Sequence, residues 1–89
     1  MKSIITVLGK DKVGIIAKVC TYLSEKNINI LDISQTIVNG YFNMMMIVDT
    51  EKSTTSMENL IDELAEIGKE LEVIINMQHE DIFNCMHRI

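Results

Sequence analysis

Apolar positions in the first half of the chain fall into short runs that alternate with polar turns. Residues 3–8 (SIITVL) are rich in β-branched side chains and run into a Gly-Lys-Asp loop, which predicts a strand. A helix is predicted next, because apolar residues then recur at the spacing of one helical face: Ile16, Val19, Cys20 and Leu23. Asn27 can end this helix.

Two further apolar runs, residues 28–38 and 41–48, are joined by Asn39-Gly40. A type I′ turn needs positive φ at both central positions, so Asn-Gly here predicts a β-hairpin. The second of these strands is apolar on both sides, since its side chains alternate between two faces. Phe42, Met44, Met46 and Val48 point one way, and Met45 and Ile47 the other. One face would pack under helices, and the other needs cover from the C-terminal segment, a second copy, or both.

The second half begins with a capping box, Thr55-x-x-Glu58, which predicts the start of a second helix. Its apolar stripe is Met57, Leu60, Ile61, Leu64 and Ile67, and Gly68 is expected to stop it. Residues 71–78 read as a fourth strand. Residues 80–88 are predicted to form a short third helix, with apolar positions at Ile82, Phe83, Met86 and Ile89.

This order predicts an α+β, ferredoxin-like βαββαβ fold, a two-layer sandwich with a four-stranded antiparallel sheet and a short C-terminal helix. The 89 residues suit a single domain, 1–89, with a core over about 3–78. A domain this small has little stability to spare, so association with a second copy is expected.

Charge and composition narrow the classes of function. The net charge of −5 and the scattered lysines argue against nucleic acid as a partner. Cys20, Cys85, His79 and His87 match no zinc-ligand spacing, and we expect no metal and no cofactor. With no signal peptide and no apolar run long enough for a bilayer, the chain is expected to be cytoplasmic and not membrane-bound.

The sequence lacks the residues that enzymes of this fold use for catalysis, so the chain is not expected to be an enzyme. An acylphosphatase needs an arginine after the first strand, and the single arginine is Arg88. Cys20 lies on the apolar stripe of the first helix, whereas a nucleophilic cysteine needs a helix N-terminus or a cationic neighbour. Gly9 and Gly14 have the spacing of a P-loop, but Ile15 and Ile16 replace its lysine and hydroxyl residue.

The loop from Gly9 to Gly14 nevertheless has a specific binding capacity. The first turn of a helix presents unpaired N–H groups, which bind a carboxylate where a glycine permits close approach. Asp11 could pair with an ammonium group, so the loop would complement an amino acid. The alternative is structural: Asp11 caps the helix and Gly14 packs on the sheet. Asp32 poses a similar choice between a ligand contact and a sheet edge in water.

Asp11-x-x-Gly14, the helical stripe behind it and NINILDISQ (27–35) resemble an ACT domain, the small regulatory module of amino-acid metabolism. The resemblance extends to about Gln78 and is strongest to the small stand-alone ACT proteins of UPF0237 type, related to the glycine cleavage repressor. It implies a non-enzymatic homodimer that binds an amino acid between the first loop of one subunit and the second strand of its partner, and signals to a regulatory protein. The implied ligand residues are Gly9, Lys10, Asp11, Lys12, Val13, Gly14, Asn29 and Ile30.

The resemblance leaves two questions open. Ligand-binding ACT domains often have Asn at the place of Asp11, and many stand-alone members bind no amino acid, so a ligand-free protein interaction module is the alternative. The dimer could join edge to edge, extending one sheet, or face to face over the methionines.

Overall fold

The structure is a computed structural model that describes residues 2–79. Along the chain lie β1 (Lys2–Lys10), α1 (Ile15–Glu25), β2 (Asn29–Val38), β3 (Tyr41–Asp49), α2 (Met57–Leu71) and β4 (Val73–His79). The predicted βαββαβ order and ferredoxin-like fold are therefore confirmed. The predicted helix at 80–88, with Cys85 and His87, lies outside the described residues.

The strands form one antiparallel sheet in the order β2-β3-β1-β4. Alternate residues of each central strand face the helices: Ile5 and Val7 in β1 are fully buried, as are Met44 and Met46 in β3. They pack with residues of both helices, such as Leu23, in a single core. The prediction that Phe42, Met44, Met46 and Val48 share the packed face is confirmed.

The hairpin between β2 and β3 has the predicted turn. Asn39 and Gly40 have φ of 52° and 80°, both positive as a type I′ turn requires. The turn sets the register Val38↔Tyr41, which continues as a regular ladder to Asp32↔Ile47. β2 is thereby held as the outer strand at one edge of the sheet, with β3 as its single neighbour.

The ends of α2 differ from the sequence expectations. Ser56, not Thr55, is the N-cap of α2, and its side chain accepts a hydrogen bond from the N–H of Asn59 at 3.3 Å. The helix also passes Gly68 and ends at Leu71, with Glu72 in the left-handed conformation. Gly68 serves packing, because an added Cβ would lie 2.7 Å from the carbonyl oxygen of Val73.

The second sheet face, called here the open side, is covered by neither α1 nor α2. Several large apolar side chains of this side, concentrated near the hairpin, are 52–62% exposed: Leu8, Val38, Tyr41 and Ile74. Asp32 also faces the open side, on the exposed edge strand. This position agrees with the sheet-edge interpretation of Asp32.

Candidate ligand site at the sheet edge

The loop between β1 and α1 is short and held at both ends. β1 runs on through Gly9 and Lys10, so these two predicted site residues belong to the strand. The N–H of Asp11 donates to the carbonyl oxygen of Gly40 at 2.9 Å, which ties the loop to the β2–β3 hairpin. Nζ of Lys12 lies 2.7 Å from Oε1 of Glu72 and lowers the pKa of that carboxyl. Val13 is fully exposed.

Gly14 is the N-cap of α1, and the expectation that Asp11 caps this helix is wrong. Gly14 has φ of 94°, a left-handed conformation that side-chain-bearing residues rarely adopt. Its carbonyl accepts the first helical bond, from the N–H of Lys18, but no side chain caps the helix. No heavy atom lies within 4 Å of a Cβ built on Gly14, so backbone conformation rather than packing requires this glycine. The first-turn N–H groups of α1 are thus without a side-chain partner.

Asn29 and Ile30 line a groove of about 690 Å³ at the opposite end of β2. Its walls come from the end of α1, the start of β2 and the end of β3. The lining residues are Cys20, Ser24, Asn27, Ile28, Asn29, Ile30, Asp49, Glu51 and Lys52. Two of the predicted ligand residues are therefore brought to one groove, while residues 9–14 lie elsewhere.

Hydrogen bonds shape the polar wall of this groove. Nδ2 of Asn27 donates to the carbonyl oxygen of Lys52 at 3.0 Å, and the N–H of Thr54 donates to that of Lys26 at 3.1 Å, so the β3–α2 loop is tied to the end of α1. The N–H of Glu51 donates to Oδ1 of Asp49 at 3.0 Å and holds the pKa of that carboxyl below its usual value. The groove thus offers amides, a hydroxyl, carboxylates and an amine around apolar Ile28 and Ile30.

Within one chain the two predicted halves of the site are far apart. The loop is anchored at Gly40, beyond the last residue of β2, whereas Asn29 is the first residue of that strand. A strand rises about 3.3 Å per residue, so the ends of β2 are separated by about 30 Å. One protomer does not assemble the site that the resemblance implies.

Sequence reasoning missed five polar residues of the groove: Ser24, Asn27, Asp49, Glu51 and Lys52. Ser24 follows Cys20 by four positions, so both lie on one helical face, and this spacing could have predicted that Ser24 lines the same groove as Cys20. Glu51 and Lys52 were unrecognisable, because only the pairing of β2 with β3 brings the end of β3 beside Asn29. Among residues 2–79, no three His, Cys, Asp or Glu side chains gather to hold a metal ion. The described helices include none long and apolar enough to cross a membrane.

The fold, with a groove at an exposed sheet edge, is that of a small regulatory, small-molecule-binding type of domain. The chain belongs to the ACT domain family, whose model matches residues 3–78.

Individual relatives agree with this assignment. A UPF0237 protein of Bifidobacterium longum is 56% identical over 88 residues, covering 99% of this chain and 98% of the relative. An ACT domain protein from Streptococcus pneumoniae superposes with a TM-score of 0.82 at 44% identity, covering 93% of each chain. A putative glycine cleavage system transcriptional repressor shares the fold, with a TM-score of 0.73 at 23% identity over 86% of this chain and 43% of its own.

Proposed function

We propose that the chain is a non-enzymatic regulatory protein that binds an amino acid between two copies of itself and passes the signal to a partner protein. The observation that carries the proposal is the separation of the two half-sites along β2, with the loop at its end and the groove at its start. Antiparallel pairing of two β2 edges would bring the loop of one copy to the groove of the other. Each dimer would then hold two equivalent sites.

The chemistry of the two halves suits a zwitterion. The uncapped first turn of α1 would take the ligand carboxylate, with the exposed Lys10 as a second positive group at the start of the same loop. Asp11 is exposed and would face the ligand ammonium, together with the amide of Asn29 from the partner. The ligand side chain would enter the groove, along Ile30 and Cys20.

The role of Cys20 in this scheme is packing rather than catalysis. Cys20 is half-buried against the core in the middle of α1, remote from the N–H groups that would stabilise a thiolate. It offers the ligand an apolar contact. No step of the proposal requires bond making or breaking.

The alternative function is a ligand-free interaction module, and the exposed apolar residues of the open side favour it. Leu8, Val38, Tyr41 and Ile74 form a surface of the kind that docks another protein. The same surface would serve the sensor as its route to a regulatory partner. A test of ligand binding therefore distinguishes the two proposed functions, whereas a test of partner binding alone does not.

A thermal-shift screen of the protein against the twenty amino acids tests the proposal, with the mass in solution measured alongside. A ligand at one hundred times its dissociation constant adds about 2.7 kcal/mol, which should raise the midpoint by about 11–22 °C in a two-state domain of this size. Calorimetric titration would then give the stoichiometry, expected to be one ligand per chain.

Two variants and a matched control locate the site. Asn29→Ala and Gly14→Val should abolish the shift while leaving a folded dimer, whereas Asn43→Ala, at an exposed asparagine of β3, should bind like the parent. Unchanged binding by both site variants would show that the ligand lies elsewhere. If the protein is a stable dimer and no amino acid shifts its thermal midpoint, the ligand-free interaction module would be favoured.

A further inference from the structure

The open side of the sheet is not uniformly exposed. On β1 the exposed fraction of the open-side residues falls from 52% at Leu8 to 6% at Ile4. On β3 it falls from 56% at Tyr41, through 38% at Met45, to a half-buried Ile47. Exposure therefore decreases from the hairpin end of the sheet, at the turn between β2 and β3, to the groove end, where β1 and β2 begin.

The burial of Ile4 does not come from the helices. Ile4 pairs with Ile47, and Ile47 pairs with Asp32, so all three face the open side, whereas the neighbouring Ile5 faces the helices. Of the buried apolar residues that the structure describes, Ile4 alone lies outside the core between the sheet and the helices. Because Ile4 is buried within a single chain, its cover requires no second copy. The cover must come from another part of the same chain, on the open side.

The path of the chain brings one segment to this place. β4 runs antiparallel to β1, with Ile4 opposite Gln78 and Ser3 opposite His79. The chain therefore leaves β4 at the groove end, and residues 80–89 begin one strand spacing, about 4.8 Å, from β1. Of the residues outside 2–79, only these ten are enough to cover two strands.

The sequence of residues 80–89 suits an apolar surface. Four apolar residues recur at the spacing of one helical face: Ile82, Phe83, Met86 and Ile89. Asp81, Asn84 and Arg88 fall on the opposite face of such a helix. A helix with this pattern is amphipathic and buries one side against a partner surface.

We propose that residues 80–89 form an amphipathic helix that lies across the open side at the groove end and packs its apolar face on Ile4 and Ile47. The dimensions agree. One row of paired residues crosses all four strands there, Gln78, Ile4, Ile47 and Asp32, and spans three strand spacings, about 14 Å. Ten helical residues are about 15 Å long. The two apolar residues of the row lie in its middle, with a polar residue at each end.

This arrangement divides the open side into two parts, and so defines where a partner protein can dock. The groove end is occupied by the chain's own residues 80–89. At the hairpin end the apolar side chains of Leu8, Val38, Tyr41 and Ile74 stay exposed. A protein partner would therefore bind the hairpin end. The inference goes beyond the proposed function and requires no bound ligand.

The rate of thiol labelling tests the cover. Ile4→Cys and Leu8→Cys are each made in a background carrying Cys20→Ser and Cys85→Ser, and are reacted with a maleimide under native conditions. Leu8→Cys is the matched control, on the same strand and the same side. In the full chain Ile4→Cys should react about tenfold or more slowly than Leu8→Cys, because its thiol is reached only when the cover opens. Truncation after His79 should remove this difference and leave the rate of Leu8→Cys unchanged.

A second pair of variants avoids any loss of folding by truncation. Phe83→Asp places a charge on the apolar face of residues 80–89 and should make Ile4→Cys react as fast as after truncation. Asn84→Asp adds the same charge on the opposite face and should keep Ile4→Cys protected. Ile47→Cys, on the neighbouring strand, should respond in the same way and replaces Ile4→Cys if that variant does not fold.

Three results would overturn the proposal. The first is equal labelling of Ile4→Cys and Leu8→Cys in the full chain. The second is protection of Ile4→Cys that survives both the truncation and Phe83→Asp. The third is protection that disappears on about hundredfold dilution, because mass action would then identify a second copy as the cover. Protection that is independent of concentration and is lost with Phe83→Asp but not with Asn84→Asp would establish residues 80–89 as the cover.

Discussion

Gly9 lies opposite Val73 in the β1–β4 ladder, and replacing it should destabilise the fold by a steric mechanism. A Cβ on Gly9 would lie 2.7 Å from Cγ1 of Val73 and 3.0 Å from its Cα. Overpacking of this kind costs about 1–3 kcal/mol, against which an alanine recovers about 0.5–1 kcal/mol by restricting the unfolded chain. The difference spans about 0–2.5 kcal/mol, and we expect Gly9→Ala to lose about 1 kcal/mol net. In a domain of this size that lowers the thermal midpoint by about 4–8 °C per kcal/mol.

Thermal and urea unfolding at one fixed protein concentration would measure this loss. Val73→Ala removes the nearest atom, so Gly9→Ala should cost less in a Val73→Ala background. Gly14→Ala is the matched control: its cost arises from φ of 94° and should be the same in both backgrounds. A Gly9→Ala protein as stable as the parent, or a cost that ignores Val73→Ala, would refute the steric account.

Three further predictions use unfolding as the assay. Ser56→Ala should cost about 1 kcal/mol, because it removes the side-chain cap of α2, and Thr55→Ala should cost almost nothing. Ser3→Ala should leave the midpoint unchanged or raised, since the buried Ser3 hydroxyl finds no hydrogen-bond partner among the described residues. The hydroxyl of Tyr22 donates to Oε1 of Glu63 at 2.7 Å and is the main cause that lowers the pKa of Glu63. The stabilisation that this hydrogen bond gives is present above the unfolded pKa of Glu63, about 4.3, and is lost as pH falls through the folded value. Tyr22→Phe should therefore be less stable than the parent at pH 7, and the difference in their free energies of unfolding should shrink in acid.

The periodicity of apolar residues was enough to predict the fold. An alternating apolar pattern predicts a strand and an apolar stripe predicts a helix, because each buries one side of its element. Asn39-Gly40 predicted its turn because few residues tolerate positive φ. The helix ends were less predictable. Ser53, Thr54, Thr55 and Ser56 are adjacent hydroxyl residues, any of which could cap α2, and only the path of the preceding loop selects Ser56.

The register of β2 against β3 shifts between Ile30 and Asp32, so Leu31 forms a β-bulge that the sequence did not predict. INILDIS reads as an alternating strand in either of two phases, and a single extra residue exchanges one phase for the other. Before the bulge Ile30 faces the groove and after it Ile33 faces the helix side, three residues later rather than two. No residue type in this stretch, such as a glycine, marks the bulge.

Gly9 and Gly14 have the spacing of P-loop glycines, but each position requires glycine for a different structural reason. Their spacing therefore carries no information about a ligand. Gly9 is required by the approach of Val73, and Gly14 by the backbone angle at the start of α1. The informative relation is instead between Gly40 and Asn29, at opposite ends of one edge strand. A sequence motif describes neighbours along a chain, whereas a site shared by two copies would join residues that lie far apart in one chain. β2 is long and almost entirely exposed, so pairing with a second copy would bring its two ends together, and the edge of the sheet is where the proposed function should be tested first.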